Sequence, residues 1–402
     1  MRRAAAALVL FLAAVSPAAA VDSEAAIQAM TELPEDQLLD VGIRVFDPGL
    51  GSYTATELEE RGIFEEVRGA EAIFVPVQIK RTLESTGQWG AVRVVPTATD
   101  AVDLLLTGAL IESNGKDLAF ALRAQDATGR VWLDKRYRGE ANSAAYGEEG
   151  AAEVEPFQGL YNGVANDLLA KRQRLKETAV IEARRVARAK FAADLAPESF
   201  GDLLEVDRRG RSRVARLPAE GDPMMERVDR IRERDYMLVD TLNEYYSTFF
   251  DRLAEPYRGW RSFSYEERLA FEELRRKGRW RKILGALAVL GAVTADADSQ
   301  SEAAVRDVAL IGGIAAIQSG IGKTQEAKIH REALRELGVS FGSEVAPVVV
   351  DVEGQTLRLT GSAETQYETW RRLLRELYAN ERGLAPDPNV DSGLAMDEPT
   401  AR

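Results

Sequence analysis

The chain has 402 residues, with 52 Lys and Arg against 65 Asp and Glu, a formal net charge of −13. An acid excess of that size argues against general nucleic-acid binding, which needs a basic face to meet phosphates. The absence of cysteine excludes disulfides and thiol chemistry, and a single histidine, His330, excludes a His-based metal site.

Residues 1–20, MRRAAAALVLFLAAVSPAAA, have a charged start, an apolar centre and a small-residue end. The pattern predicts a secretory signal cut after Ala20, because its apolar part falls short of the roughly 20 residues of a membrane span. No Cys follows for lipid attachment. Cleavage removes two arginines and no acid, taking the charge to −15. The expected location is the periplasm, peripheral to a membrane or free of it.

LLDVGIRVFDPG (38–49) reads as a strand closed by an Asp-Pro-Gly turn. The next segment, 64–86, has apolar residues at helical spacing, with a kink or extended stretch expected at Pro76. Strands are predicted at 89–95 and 101–113, the latter with a bulge at Gly108. A hairpin follows, 117–126 with 130–139, turning at Asp126-Ala-Thr-Gly129. Strand, helix, strand and meander define an α+β sheet domain over 36–140.

After an acidic, turn-rich stretch (140–156), one long helix is expected from about 157 to 196. A β-hairpin is read at 203–218 and a second long helix at about 222–254. Ser264 with Glu267 forms a capping box that opens a further helix to about 282. The crowded aromatics from Tyr245 to Phe271 read as helix core or as a platform for sugar or peptide.

The basic run Arg275, Arg276, Lys277, Arg279, Trp280, Arg281 and Lys282 precedes two short apolar segments, 283–293 and 303–322. Gly312, Ala316 and Gly320 recur every four residues in the second. Gly285, Ala288, Gly291 and Ala292 supply small residues in the first. Small residues at that spacing let helix backbones approach closely, so 283–324 is expected to form a helical hairpin. Its apolar surface needs a cover: the protein's other helices, another subunit or lipid. The basic run suits anionic headgroups and equally a solvated collar. Gly322-Lys323-Thr324 is not a phosphate-binding loop, because Ile317 stands where the motif needs glycine.

The last folded piece (326–380) reads helix, strand, strand, helix, and 384–402 is expected to be a disordered tail. The whole is an α+β chain with a long-helix middle region (157–282) and a small αββα module at its end.

Two resemblances accompany these readings. Leu83 to Trp89, Leu104 to Gly108 and Asp126 to Trp132 resemble the amino-terminal domain of TolB and the auxiliary lipoproteins of ABC-type lipid transporters. That likeness implies an envelope interaction domain and brings no catalytic residues. The phrase VDVEGQTLRLTGSA followed by an amphipathic helix resembles half of a BON domain, a periplasmic module associated with phospholipid or polymer surfaces.

No triad, dinucleotide loop or metal-ligand spacing stands out, so neither a catalytic residue nor a cofactor is assigned. The expected function is a non-catalytic envelope scaffold that binds itself or other envelope proteins. The alternative is a glycan-binding or glycan-active protein using the aromatic helix surface.

Overall fold

The computed structural model describes residues 25–291 apart from 32, 52, 62, 98, 100–101, 142, 147–154, 217 and 220, then 329, 331–336, 347–352 and 355–381. The fold is mixed α+β. A five-stranded sheet has the order β2 (Val92–Val95), β1 (Val41–Arg44), β3 (Leu104–Ser113), β4 (Asp117–Asp126), β5 (Val131–Glu140). β1 runs parallel to β2 and β3, whereas β3, β4 and β5 form an antiparallel meander. All five strands lie where alternation and turn residues placed them.

The β4–β5 turn shows why its residues are needed. Gly129 adopts φ +85°, which other residues resist. The buried Asp126 carboxylate accepts the N–H groups of Thr128 at 3.0 Å and Arg130 at 3.1 Å, the Thr128 hydroxyl, and the Trp132 indole N–H at 2.8 Å. A buried acceptor is tolerable only when its lone pairs are met in this way.

Short α1 (Ala55–Arg61) precedes α2 (Glu65–Ser85), which runs unbroken through Pro76. The expected extended stretch is therefore corrected. Proline leaves the carbonyl four residues back without its donor. Here that carbonyl, on Ala72, takes the Phe46 N–H at 2.9 Å and pins the helix to the chain leaving β1. Gly108 is not at the bulge either, because the register shifts between Leu110 and Glu112. Gly108 instead admits the Phe46 ring, which a Cβ there would meet at 2.5 Å.

In place of one helix over 157–196 there are two, α3 (Gln158–Gln173) and α4 (Glu177–Leu195). The break lets α3 pack on α2 and β5 while α4 turns toward the rest of the helical region. A four-residue helix, α5 (Pro197–Phe200), leads to the hairpin β6 (Leu204–Val206) and β7 (Ser212–Val214).

The separate helices expected at 222–254 and 264–282 are a single helix, α6, from Pro223 to Gly291, 69 residues long and thus roughly 100 Å. Asp222 caps its start, accepting the Met224 N–H at 2.8 Å with Pro223 at the first helical position. Ser264 is not a cap; it is buried mid-helix. A cap motif acts only where the chain enters from outside the helix, and buried Tyr257 and Trp260 keep the preceding turns packed.

After helical residues 331–336 come the antiparallel pair β8 (Val348–Val352) and β9 (Gln355–Leu359), then α7 (Ala363–Glu381). Buried Gln366 ties this unit together, accepting the Val348 N–H at 3.3 Å and donating to the Gly361 carbonyl at 3.0 Å.

Two cores result. One lies among the sheet, α2, α3 and the start of α4; the other gathers the end of α4, α6, α7, Val94 and Val95 of β2 and the opposite flank of α2. Helix α2 is buried on both sides, which explains apolar residues around most of its circumference.

Candidate functional site

Polar groups concentrate at the seam where α2 meets α6. Glu71 of α2 is fully buried. Its Oε1 accepts the Tyr257 hydroxyl at 2.7 Å and the Ser113 hydroxyl, while Oε2 has no hydrogen-bond partner. Burial pushes the Glu71 carboxyl above its ordinary range, against the Arg68 charge and these hydrogen bonds. Beside it, Arg261 makes a two-pronged pair with Glu155, at 2.7 and 3.1 Å, and lies over the rings of Tyr257 and Phe74. The β3–β4 turn rests directly on α6. A Cβ at Gly115, φ +78°, would stand 2.6 Å from the Arg261 carbonyl oxygen. With Arg68, Glu71, Tyr257 and Arg261 all buried, the cluster holds two elements in register. It offers no face to a substrate.

A second buried carboxylate, Asp103, sits at the start of β3. It accepts the Asp40 N–H at 2.9 Å and lies 3.7 Å from Arg184. Burial raises its pKa from 3.8 to about 6; the Asp40 charge adds to this, and the Asp40 N–H bond and the Arg232 and Arg184 charges oppose it. A carboxyl raised on folding stabilises the protein most below its unfolded value, and that stability is lost as pH rises through the folded value. The fall should lie between pH 3.8 and about 6 and be on the order of 3 kcal/mol, at about 1.4 kcal/mol per unit. Asp103→Asn keeps an acceptor for Asp40 and carries no charge. Urea midpoints measured across this window should vary less with pH in Asp103→Asn than in the parent; identical profiles would refute the assignment.

One open cleft, of about 730 Å³, lies between α4 and α7. Arg371 forms part of its wall, 2.5 Å from Asp194 and 3.2 Å from Asp235, over the Phe191 ring. Arg375 is 3.5 Å from the same Asp194. Lys190, Arg372, Tyr367, Glu368, Thr97 and Thr99 complete its polar lining. Tyr367 is buried and its hydroxyl is pushed up to about 12, first by burial and then by the Asp235 charge.

Of the residues singled out in the sequence, Gly285, Ala288 and Gly291 fall on the helical backbone of α6, as do Arg275 to Lys282. Arg276 is exposed. Ala292, Gly312, Ala316 and Gly320 lie outside the described residues, as does the hairpin's second arm. Most of the described aromatic series is core: Tyr246, Phe249, Phe250, Tyr257 and Trp260 are buried in the second cluster, while Tyr245, Phe263 and Tyr265 are half-buried. Those five rings follow the core reading, because stacking on a sugar or peptide needs exposed ring faces. Among the described residues no group of three or more His, Asp or Glu is placed to hold a metal ion. Likewise, no described helix is long and apolar enough to cross a membrane.

Sequence reasoning missed Glu71, Asp103, Arg261 and the cleft. One signal was available for Glu71: it interrupts the apolar run Ala70 to Val77 of a helix. A carboxylate in such a place needs a buried partner.

Comparison with known proteins returned no match to a family model, to a curated protein or to a solved structure.

Proposed function

We propose that this chain is a non-catalytic, exported component of the cell envelope that assembles with itself or with other envelope proteins. One observation carries the reading: α6 continues as a single helix through the basic run to the start of the apolar segment. Its last described tertiary ion pair is Lys116 with Glu272, at 2.6 Å, and the helix runs on to Gly291. At about 1.5 Å per residue the stretch beyond Glu272 is roughly 28 Å long. It carries the basic run Arg275–Lys282 and the start of the apolar segment. A body with an apolar, small-residue extension suits attachment to a like helix or to a membrane surface. The TolB-like motifs of the sheet domain and the BON-like pattern near the end support the same class.

The test is the mass of the protein purified from its native cell, with and without mild detergent, beside a chain lacking 283–322. The native chain should lack residues 1–20 and run as a large particle or with membranes, and the deletion should release it while the sheet domain stays folded. A monomer of unchanged fractionation in both forms would overturn the proposal.

A further inference from the structure

We propose that the cleft between α4 and α7 is a binding site for a phosphate monoester, independent of the assembly role above. The chain as a whole is acidic, yet four cations and two carboxylates line this opening. Arg371, Arg372 and Arg375 occupy one turn of α7, a spacing at which like charges repel. The fold answers only part of that repulsion. Arg371 is held from behind by Asp235, which is 1% exposed, and shares Asp194 with Arg375. Arg372 is exposed and has no carboxylate partner among the described residues.

The arrangement differs from a solvated charged face in two respects. First, the Arg371 guanidinium is pre-set: Asp235 and Asp194 fix its fork and the Phe191 ring, 4.5 Å from its centre, supports its plane. A guanidinium held in place loses little further freedom when an oxyanion docks. Second, Lys190 faces these arginines from α4 across a concavity of about 730 Å³, within the size range of small-molecule sites. Convergent guanidinium and ammonium groups favour a doubly charged tetrahedral anion, which accepts several charge-assisted hydrogen bonds at once. Phe191 and Leu204 offer an apolar wall for the organic part of the ester.

Calorimetry on the full chain tests this with three probes: inorganic phosphate, glycerol 1-phosphate, and vesicles containing phosphatidic acid, whose headgroup is itself a phosphate monoester, with phosphatidylcholine vesicles as the neutral control. Glycerol 1-phosphate should bind more tightly than inorganic phosphate, and added salt should weaken it. Arg372→Gln with Arg375→Gln should weaken binding about tenfold or more, the effect of losing a charge-assisted hydrogen bond. The melting temperature of the unliganded protein should hardly change, both side chains being exposed; should the double variant fail to fold, Arg372→Gln alone is read in the same way. Heat from the soluble ester identifies a free ligand. Heat from the anionic vesicles alone, lost in the variant, identifies a lipid headgroup. Absence of binding to every probe, or binding that the variants leave unchanged, overturns the proposal.

Discussion

Arg261→Met should destabilise the protein by about 3–5 kcal/mol, the usual cost of removing one partner from a buried ion pair. The Arg261 and Glu155 side chains are only 5% and 11% exposed, so Glu155 would be left with little water to replace the guanidinium. The rings of Tyr257 and Phe74 would lose their stacked cation as well. Methionine fills much of the volume, so a large loss would report charge and hydrogen bonding rather than a cavity. Adding Glu155→Gln to Arg261→Met should recover part of the loss, because the bare charge is then gone. Urea midpoints of the parent, both single variants and the double variant give the coupling energy directly. A single-variant loss under about 1 kcal/mol would mean that the seam is not held by this pair.

Trp132→Ala should also cost about 3–5 kcal/mol, through lost apolar burial and the cavity left behind. Trp132 is 5% exposed, its ring centre is 6.4 Å from that of Trp89, and its N–H reaches Asp126. Trp132→Phe keeps most of the apolar contact and removes only the donor. Asp126 would still hold the Thr128 and Arg130 N–H groups, so a loss nearer 1–2 kcal/mol is expected for a single buried hydrogen bond. Thermal melts of the two variants separate packing from hydrogen bonding. Equal losses in Phe and Ala would show that the indole N–H, rather than ring volume, dominates.

The two variants also mark different degrees of legibility. Trp132 lies in a hairpin whose turn chemistry, in Asp126 and Gly129, is written locally. Arg261 reads as one cation among many, in the gap between the helices expected at 222–254 and from Ser264 on. Its partner, Glu155, is 106 residues away in a stretch that reads as linker. No local periodicity connects the two.

The same division explains the errors in helix boundaries. Pro76 is a strong local signal for a break, and it fails because Phe46 supplies the donor that the Ala72 carbonyl needs. The Ser264 capping box is a strong local signal for a start, and it fails because the turns before it are packed. At 174–176 the opposite happens: no glycine or proline marks a break, yet α3 and α4 separate, and α4 runs on from the core it shares with α3, through Val180 and Ala183, into the other core, through Ala189, Phe191 and Leu195.

What the amino-acid sequence determined by itself was the α+β class, all five strands of the sheet, both small hairpins and the αββα order at the end. Each of these rests on short-range physics, in side-chain alternation, turn residues and amphipathic stripes. Only the tertiary structure decided the unbroken α6, the two-sided burial of α2, and the meeting of Glu71 with Tyr257 and of α4 with the arginines of α7. Those depend on which distant groups satisfy a buried carbonyl, carboxylate or guanidinium. Such pairings carry no periodic trace in the chain, because they join residues that become neighbours only once the elements have packed.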